Sequence, residues 1–261
     1  MVESFFFGTD TPRLFGSYHP PIGCRREHAL LLCPALGHEY VQCHFAYRLL
    51  AAQLAEAGFP VLRFEYRGLG NAEGSLADAS LEDWMGDSNR ALEELARRSG
   101  ACRLCVGGIR FGATLSALAS GTTPSVAAIL LWYPVIEGPA YLREIAERQA
   151  AFVRSLPGPL PVPSDGGQEI LGFRLGAALL EQLAGIEARR LGRCLAAKRV
   201  LLLEDRAVHV DEAARQSLAA GCAGFEAHCE AAEESWLGKP QRIFEPRKAL
   251  EQISSWMESL G

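Results

Sequence analysis

A guanidinium stands between two glycines in Gly108-Ile109-Arg110-Phe111-Gly112, directly after an apolar run. Arginine stays protonated and offers no nucleophilic lone pair, so Arg110 can pair with a carboxylate or phosphate but cannot attack a carbonyl. His38 could act as an acid or base near neutral pH, although a histidine that caps or hydrogen-bonds is the plainer reading. His209 follows Asp205 closely and could pair with it, and His228 is the last histidine in the chain. A thiolate from Cys33 or Cys43 would be a nucleophile. Cys33 ends an apolar run, however, and reads first as a small packed hydrophobe. Cys102 and Cys105 make the one C-x-x-C. They fall on a strand pattern, where residues three apart face opposite ways, and no second Cys or His pair stands at zinc spacing. No metal and no cofactor are expected.

The elements that must position these groups alternate between strand and helix. Met1–Phe7 reads as a first edge strand, and Ala29–Cys33 as a short apolar strand buried on both faces. The periodicity predicts a helix from His44 to Ala57, a strand over Pro60–Phe64, and a helix capped by Ser80 or Asp78 and running to Arg98. Strands follow at Arg103–Gly107, Val126–Leu131, Arg199–Leu203 and Phe225–Cys229. Helices are expected at Ala113–Ser120, Asp211–Ala220 and Pro246–Leu260. The rhythm breaks between Glu137 and Arg193, where a Pro-rich stretch from Leu156 to Pro163 is flanked by helical patterns. Repeated strand–helix units imply an α/β fold with a mostly parallel, doubly wound sheet. The expected organisation is a core of residues 1–136 and 194–261, with 137–193 inserted as a helical lid. Leu171, Phe173, Leu175, Leu179 and Leu180 would form its apolar roof. Trp132, Tyr133 and Tyr141, at a strand end and the lid's start, could line an acyl pocket.

Composition narrows the function classes. A chain of 261 residues, 49% apolar and 22% charged, has the balance of a folded globular protein. A net charge of −5, with Lys and Arg spread along the chain, gives no footprint for nucleic acid. No apolar run is long enough to span a membrane, and the N-terminus lacks the basic start and apolar core of a signal peptide. Scattered cysteines without an export signal make reduced thiols in a cytoplasm the default expectation.

Three segments together resemble the α/β-hydrolase superfamily. Phe64-Glu65-Tyr66-Arg67-Gly68-Leu69-Gly70-Asn71-Ala72-Glu73-Gly74 is similar to that family's D-x-R-G-x-G-x-S loop. Leu32-Cys33-Pro34-Ala35-Leu36-Gly37-His38-Glu39-Tyr40 stands where the family turns from a strand into its oxyanion loop. Val106-Gly107-Gly108-Ile109-Arg110-Phe111-Gly112-Ala113 is similar to the strand–elbow–helix frame G-x-S-x-G, with Arg110 in place of the nucleophile. With Leu131–Leu142, these resemble more narrowly the exosortase-associated, serine aminopeptidase-like hydrolases.

The resemblance implies the α/β-hydrolase fold and a hydrolase or thioesterase label. It also implies where a triad would lie. No Ser stands at the elbow. The acid would follow the Arg199–Leu203 strand, where Glu204 and Asp205 stand. The base would follow the last strand, where Glu245-Pro246 takes its place and His228 falls too early. No standard triad is therefore expected. Ile109, Arg110, Phe111, Gly37, His38, Glu39, Trp132 and Tyr133 are the expected lining of the former site, with Glu39 the obvious partner of Arg110. Glu65, where the family has Asp, is expected to fix the Arg67–Gly70 loop. Three readings stay open. One is a non-catalytic or divergent member binding an acidic acyl-type ligand or a partner protein. Another is an ester or thioester hydrolase, or acyltransferase, using Cys33, His38 or His209. The third is an interaction protein whose vestigial site is plugged.

Overall fold

Strands that alternate their side chains must bury both faces when helices cover the sheet on both sides, and this sequence supplies apolar residues in both phases. In the computed structural model, which describes residues 1–9, 11–158, 166–205, 210–230 and 246–261, eight strands form one sheet. They are β1 (Glu3–Phe7), β2 (Leu14–His19), β3 (His28–Cys33), β4 (Val61–Glu65), β5 (Arg103–Ile109), β6 (Val126–Trp132), β9 (Arg199–Asp205) and β10 (Gly224–Glu230). Their spatial order is β1-β2-β4-β3-β5-β6-β9-β10. The first two pairings are antiparallel, and every pairing from β4 to β10 is parallel.

One phase of the central strands, including Leu30, Leu32, Cys105, Ile109, Trp132 and Leu203, packs beneath α1 (His38–Glu56) and α8 (Arg247–Ser259). The other phase, including Leu31, Cys33, Val106, Leu131 and Leu202, faces α2 (Leu81–Ser99) and α3 (Phe111–Ser120). Ser80 starts α2 with a capping box: its hydroxyl accepts from the Asp83 amide, and Asp83 accepts from the Ser80 amide, both at 3.1 Å. That settles the cap at Ser80, three residues before an acidic partner, instead of Asp78.

Between β6 and β9 lie α4 (Gly138–Arg154), a hairpin of β7 (Gln168–Ile170) and β8 (Phe173–Leu175), α5 (Ala177–Ala184) and α6 (Ala188–Cys194). Leu171, Phe173 and Leu175 thus belong to a hairpin and its turn, where the sequence suggested helix. Short apolar runs do not separate the two by period alone. Three further expectations change. Strand β2 carries Gly16 and breaks its apolar pattern, so it has no strand signal of its own. Helix α1 begins at His38 instead of His44, so His38 and Glu39 sit in its first turn and not on a loop. Helix α3 begins at Phe111, directly after Arg110. The remaining helix is α7 (Glu212–Ala219). Among the described residues no helix is long and apolar enough to cross a membrane, and no His/Cys/Asp/Glu group could hold a metal ion.

Candidate functional site

Strands β3 and β5 are hydrogen-bonded neighbours, so the turns leaving their C-terminal ends meet above the sheet. Crevices outside strand ends of this kind are where open α/β sheets place ligands. Tyr47 of α1 fastens the two ends together: its hydroxyl donates to Cys33 O and accepts from the Ile109 amide, both at 2.6 Å.

The turn from β5 into α3 is sterically tight. A Cβ on Gly108 would lie 2.6 Å from Cys33 O, and one on Gly112 would lie 2.7 Å from Pro34 O. Only glycine fits at either position. Between them Arg110 takes φ 55°, ψ −123°, a conformation that costs a side-chain-bearing residue about 1–3 kcal/mol. The apex side chain is thereby thrown above the sheet, toward the first turn of α1.

There Arg110, 3% exposed, meets two carboxylates. Its Nε donates to Glu39 Oε1 at 3.1 Å, and its Nη2 donates to Glu144 of α4. Arg148, one turn beyond Glu144, closes the ring by reaching Glu39 Oε1 at 3.2 Å and Glu144 Oε1. Tyr141 adds its hydroxyl to Glu39 Oε2 at 3.1 Å, and its ring lies 5.4 Å from the Arg110 guanidinium. Two arginines and two glutamates thus balance, and each buried charge has a partner, as taking charge out of water requires. Burial alone would weaken Arg110's hold on its proton, but Glu39, Glu144 and Tyr141 outweigh it and the pKa stands above the ordinary value. Burial, followed by Glu39, drives the Tyr141 phenol well above its usual range.

Little space remains. A cavity of about 20 Å³ lies between Gly37, His38 and Glu39 on one side and Tyr141, Ile145, Arg148 and the β7–β8 hairpin on the other. That is enough for about one water molecule. His38 borders it with Nε2 buried and unbonded among the described residues, and burial, then Arg148, holds its pKa below the ordinary value.

The other expected residues scatter. Ile109, Phe111, Trp132 and Tyr133 were expected to line the site, but their side chains are sealed in the core. Ile109 and Trp132 point to the α1–α8 face, and Phe111 packs edge-on against Trp84 at 5.8 Å. Cys33 and Cys43 are fully buried, and burial raises both thiols, Cys43 the further, so neither is a ready thiolate. Glu204 is buried and held by the Val210 amide at 2.8 Å and by Arg215 at 2.7 Å. Asp205 ends β9, its side chain outside the described residues, as is His209 altogether. His228 is exposed within β10 opposite Leu203, and β6 and β9 separate that strand from β5. Glu65 holds its loop as expected, accepting from Tyr40 Oη at 2.6 Å and from the Asn71 amide at 2.5 Å. Glu144 and Arg148 were not singled out in the sequence. Their i, i+4 spacing is that of an ordinary surface ion pair, and only α4's position over the elbow turns them inward.

A family model described as Serine aminopeptidase, S33 matches residues 35–168, which span the first turn of α1, the elbow and α4. No curated protein matches the sequence. Among solved structures, the chain is similar to DcsB in complex with a substrate analogue, at 14% identity over 99% of each chain and a TM-score of 0.70. It is similar to Est1E from Butyrivibrio proteoclasticus with ferulic acid bound, at 16% identity over 98% of each chain and a TM-score of 0.66. Proline iminopeptidase from Mycobacterium smegmatis aligns at 13% identity over 98% of each chain with a TM-score of 0.68. At such identities the likeness carries the fold, which is the α/β-hydrolase fold.

Proposed function

The chain belongs to the serine aminopeptidase S33 family of α/β-hydrolase-fold proteins, and we propose that it is a non-catalytic member whose elbow site is plugged by its own ion pairs and which acts by binding a partner protein. The observation that carries this reading is the occupied fork of Arg110. In this reading the guanidinium takes the nucleophile's position, and Glu39 and Glu144 take the donors that would otherwise greet a substrate. The names of the structural neighbours point to ester and amide hydrolysis, which needs an activated nucleophile beside a base. Here the apex is an arginine, Cys33 is a buried thiol, and His228 lies on a distant strand. In this reading residues 137–193 are a lid, and α4 is bolted to the elbow by Glu144 and Arg148.

A second reading, an acidic acyl ligand at Arg110, draws support from Glu144, whose side chain is 35% exposed where Glu39 is 3% exposed. A ligand carboxylate could replace Glu144 on the outer nitrogen while Glu39 stays.

The test is turnover of a panel of activated esters and acyl thioesters by the wild type, Arg110→Ala and Arg110→Ser. All three are expected to be silent. Wild-type turnover that disappears in Arg110→Ala would overturn the proposal. Robust turnover by Arg110→Ser would show that a working base is present and overturn the account of the triad. Octanoate raising the Tm of the wild type but not of Arg110→Ala would replace the plugged site by the ligand-binding reading.

A further inference from the structure

On the α1 side of the sheet, away from the elbow, a second cavity of about 130 Å³ opens where β2, β3 and β4 meet the first turns of α1. The register builds it: Arg63 stands opposite Ser17 on β2 and Leu32 on β3, while Glu65 stands opposite Phe15. Tyr40, His44 and Tyr47 close it from α1, at the i, i+4, i+7 spacing that keeps them on one side of the helix. Its volume is close to that of a cavity of about 150 Å³ able to hold benzene.

The polar groups in this cavity are unevenly matched. Glu65 is satisfied by Tyr40 and Asn71. Arg63 donates only its Nε, to His19 Nε2 at 3.1 Å. Among the described residues its two Nη nitrogens have no hydrogen-bond partner and the guanidinium makes no ion pair. The excess of positive charge is felt nearby. Burial first and Arg63 next hold His19 down to about 4, and the same two causes, in the same order, lower His44.

We propose that this cavity binds a small carboxylic acid with a flat apolar body, the carboxylate on the two Nη nitrogens of Arg63 and the body against Phe15, Leu32 and Pro34. A planar fork with its outer nitrogens free matches a carboxylate in two parallel hydrogen bonds. Phe15, Leu32 and Pro34 give one apolar wall, opposite a polar side on which Glu65 is already taken by Tyr40 and Asn71, so that an entering carboxylate would meet Arg63 as its partner. This site is independent of the elbow, and its occupancy does not require the Glu39–Arg110 ring to open.

Benzoate is the probe, with benzamide as its uncharged counterpart and inorganic phosphate as an anion without an apolar body. Melting curves and 1H–15N spectra of the full chain are recorded against each. Benzoate is expected to raise the Tm and to shift the signals of Arg63, His44 and Asn71. Its affinity should fall about tenfold or more in Arg63→Met. Arg63→Lys, which keeps the charge and loses the fork, should recover only part. Equal protection by benzamide, protection by phosphate alone, or full affinity in Arg63→Met would each overturn the proposal. Should Arg63→Met fail to fold, the wild-type spectra decide. Shifts confined to Arg110 and Arg148, or no shifts with benzoate at high concentration, would likewise overturn it.

Discussion

Two arginines, Arg110 at the turn leaving β5 and Arg63 midway along β4, have opposite circumstances. Arg110 is buried with two carboxylates on its donors, in a space reduced to about 20 Å³. Arg63 lines about 130 Å³ with its outer nitrogens free among the described residues. The first has become part of the fold's own bonding, and removing it should unsettle the protein. The second gives the fold one hydrogen bond, to His19, and removing it should be felt chiefly by a ligand. A buried arginine is therefore not enough to mark a candidate ligand site. What counts is whether the protein has already satisfied the group.

The contrast can be broken at its strongest point by Glu39→Leu. This leaves Arg110 and Arg148 with one carboxylate between them and should cost about 3–5 kcal/mol in urea unfolding. The double variant Glu39→Leu, Arg110→Leu should lose clearly less than the sum of the two single changes, because the remaining Glu144 and Arg148 still balance. Additive losses would mean the ring is not a coupled unit.

A pH titration comes next in size. The folded-state pKa of His19 is lowered, by burial and then Arg63, to about 4 from an ordinary value near 6.5. Below the unfolded value the unfolded chain takes up a proton that the folded chain refuses. Stability should therefore fall as pH drops from about 6.5 to about 4, by on the order of 2–3 kcal/mol, and be insensitive to His19 above that window. His19→Gln should flatten the slope, and Arg63→Met should reduce it by removing one of its causes.

Glu144→Gln, at the solvent edge of the ring, should cost about 1 kcal/mol, since a partly exposed pair contributes less than a buried one. Arg63→Met without ligand should also cost only about 1 kcal/mol, because the methylene stem is replaced and, among the described residues, one hydrogen bond to His19 but no ion pair is lost. A loss as large as that of Glu39→Leu would erase the distinction between the two arginines.

Much of this architecture was legible in the sequence. The apolar runs at Ala29–Cys33, Val126–Leu131 and Arg199–Leu203 gave the parallel strands, because burial on both faces leaves little choice of residue. The glycines around Arg110 gave the turn, and charge balance gave Glu39 as its partner. What escaped depended on tertiary position. Strand β2 is held by its neighbours β1 and β4, and its own pattern is weak. The first turn of α1 starts at Gly37 with no side-chain cap to announce it. The inward turn of Glu144 and Arg148, and the outer nitrogens of Arg63 left without a partner among the described residues, are properties of what lies opposite them. No local pattern records that.

The glycine pair flanking Arg110 has one more consequence. Cβ atoms there would collide with main-chain oxygens of the neighbouring turn, so substitution at 108 or 112 is opposed by sterics whatever the protein does for a living. No such constraint governs the apex between them. The flanking letters of the motif therefore report how closely two pieces of backbone approach, and only the middle letter reports chemistry. A family likeness resting on the frame therefore speaks for the fold and leaves the chemistry to the residue between the glycines.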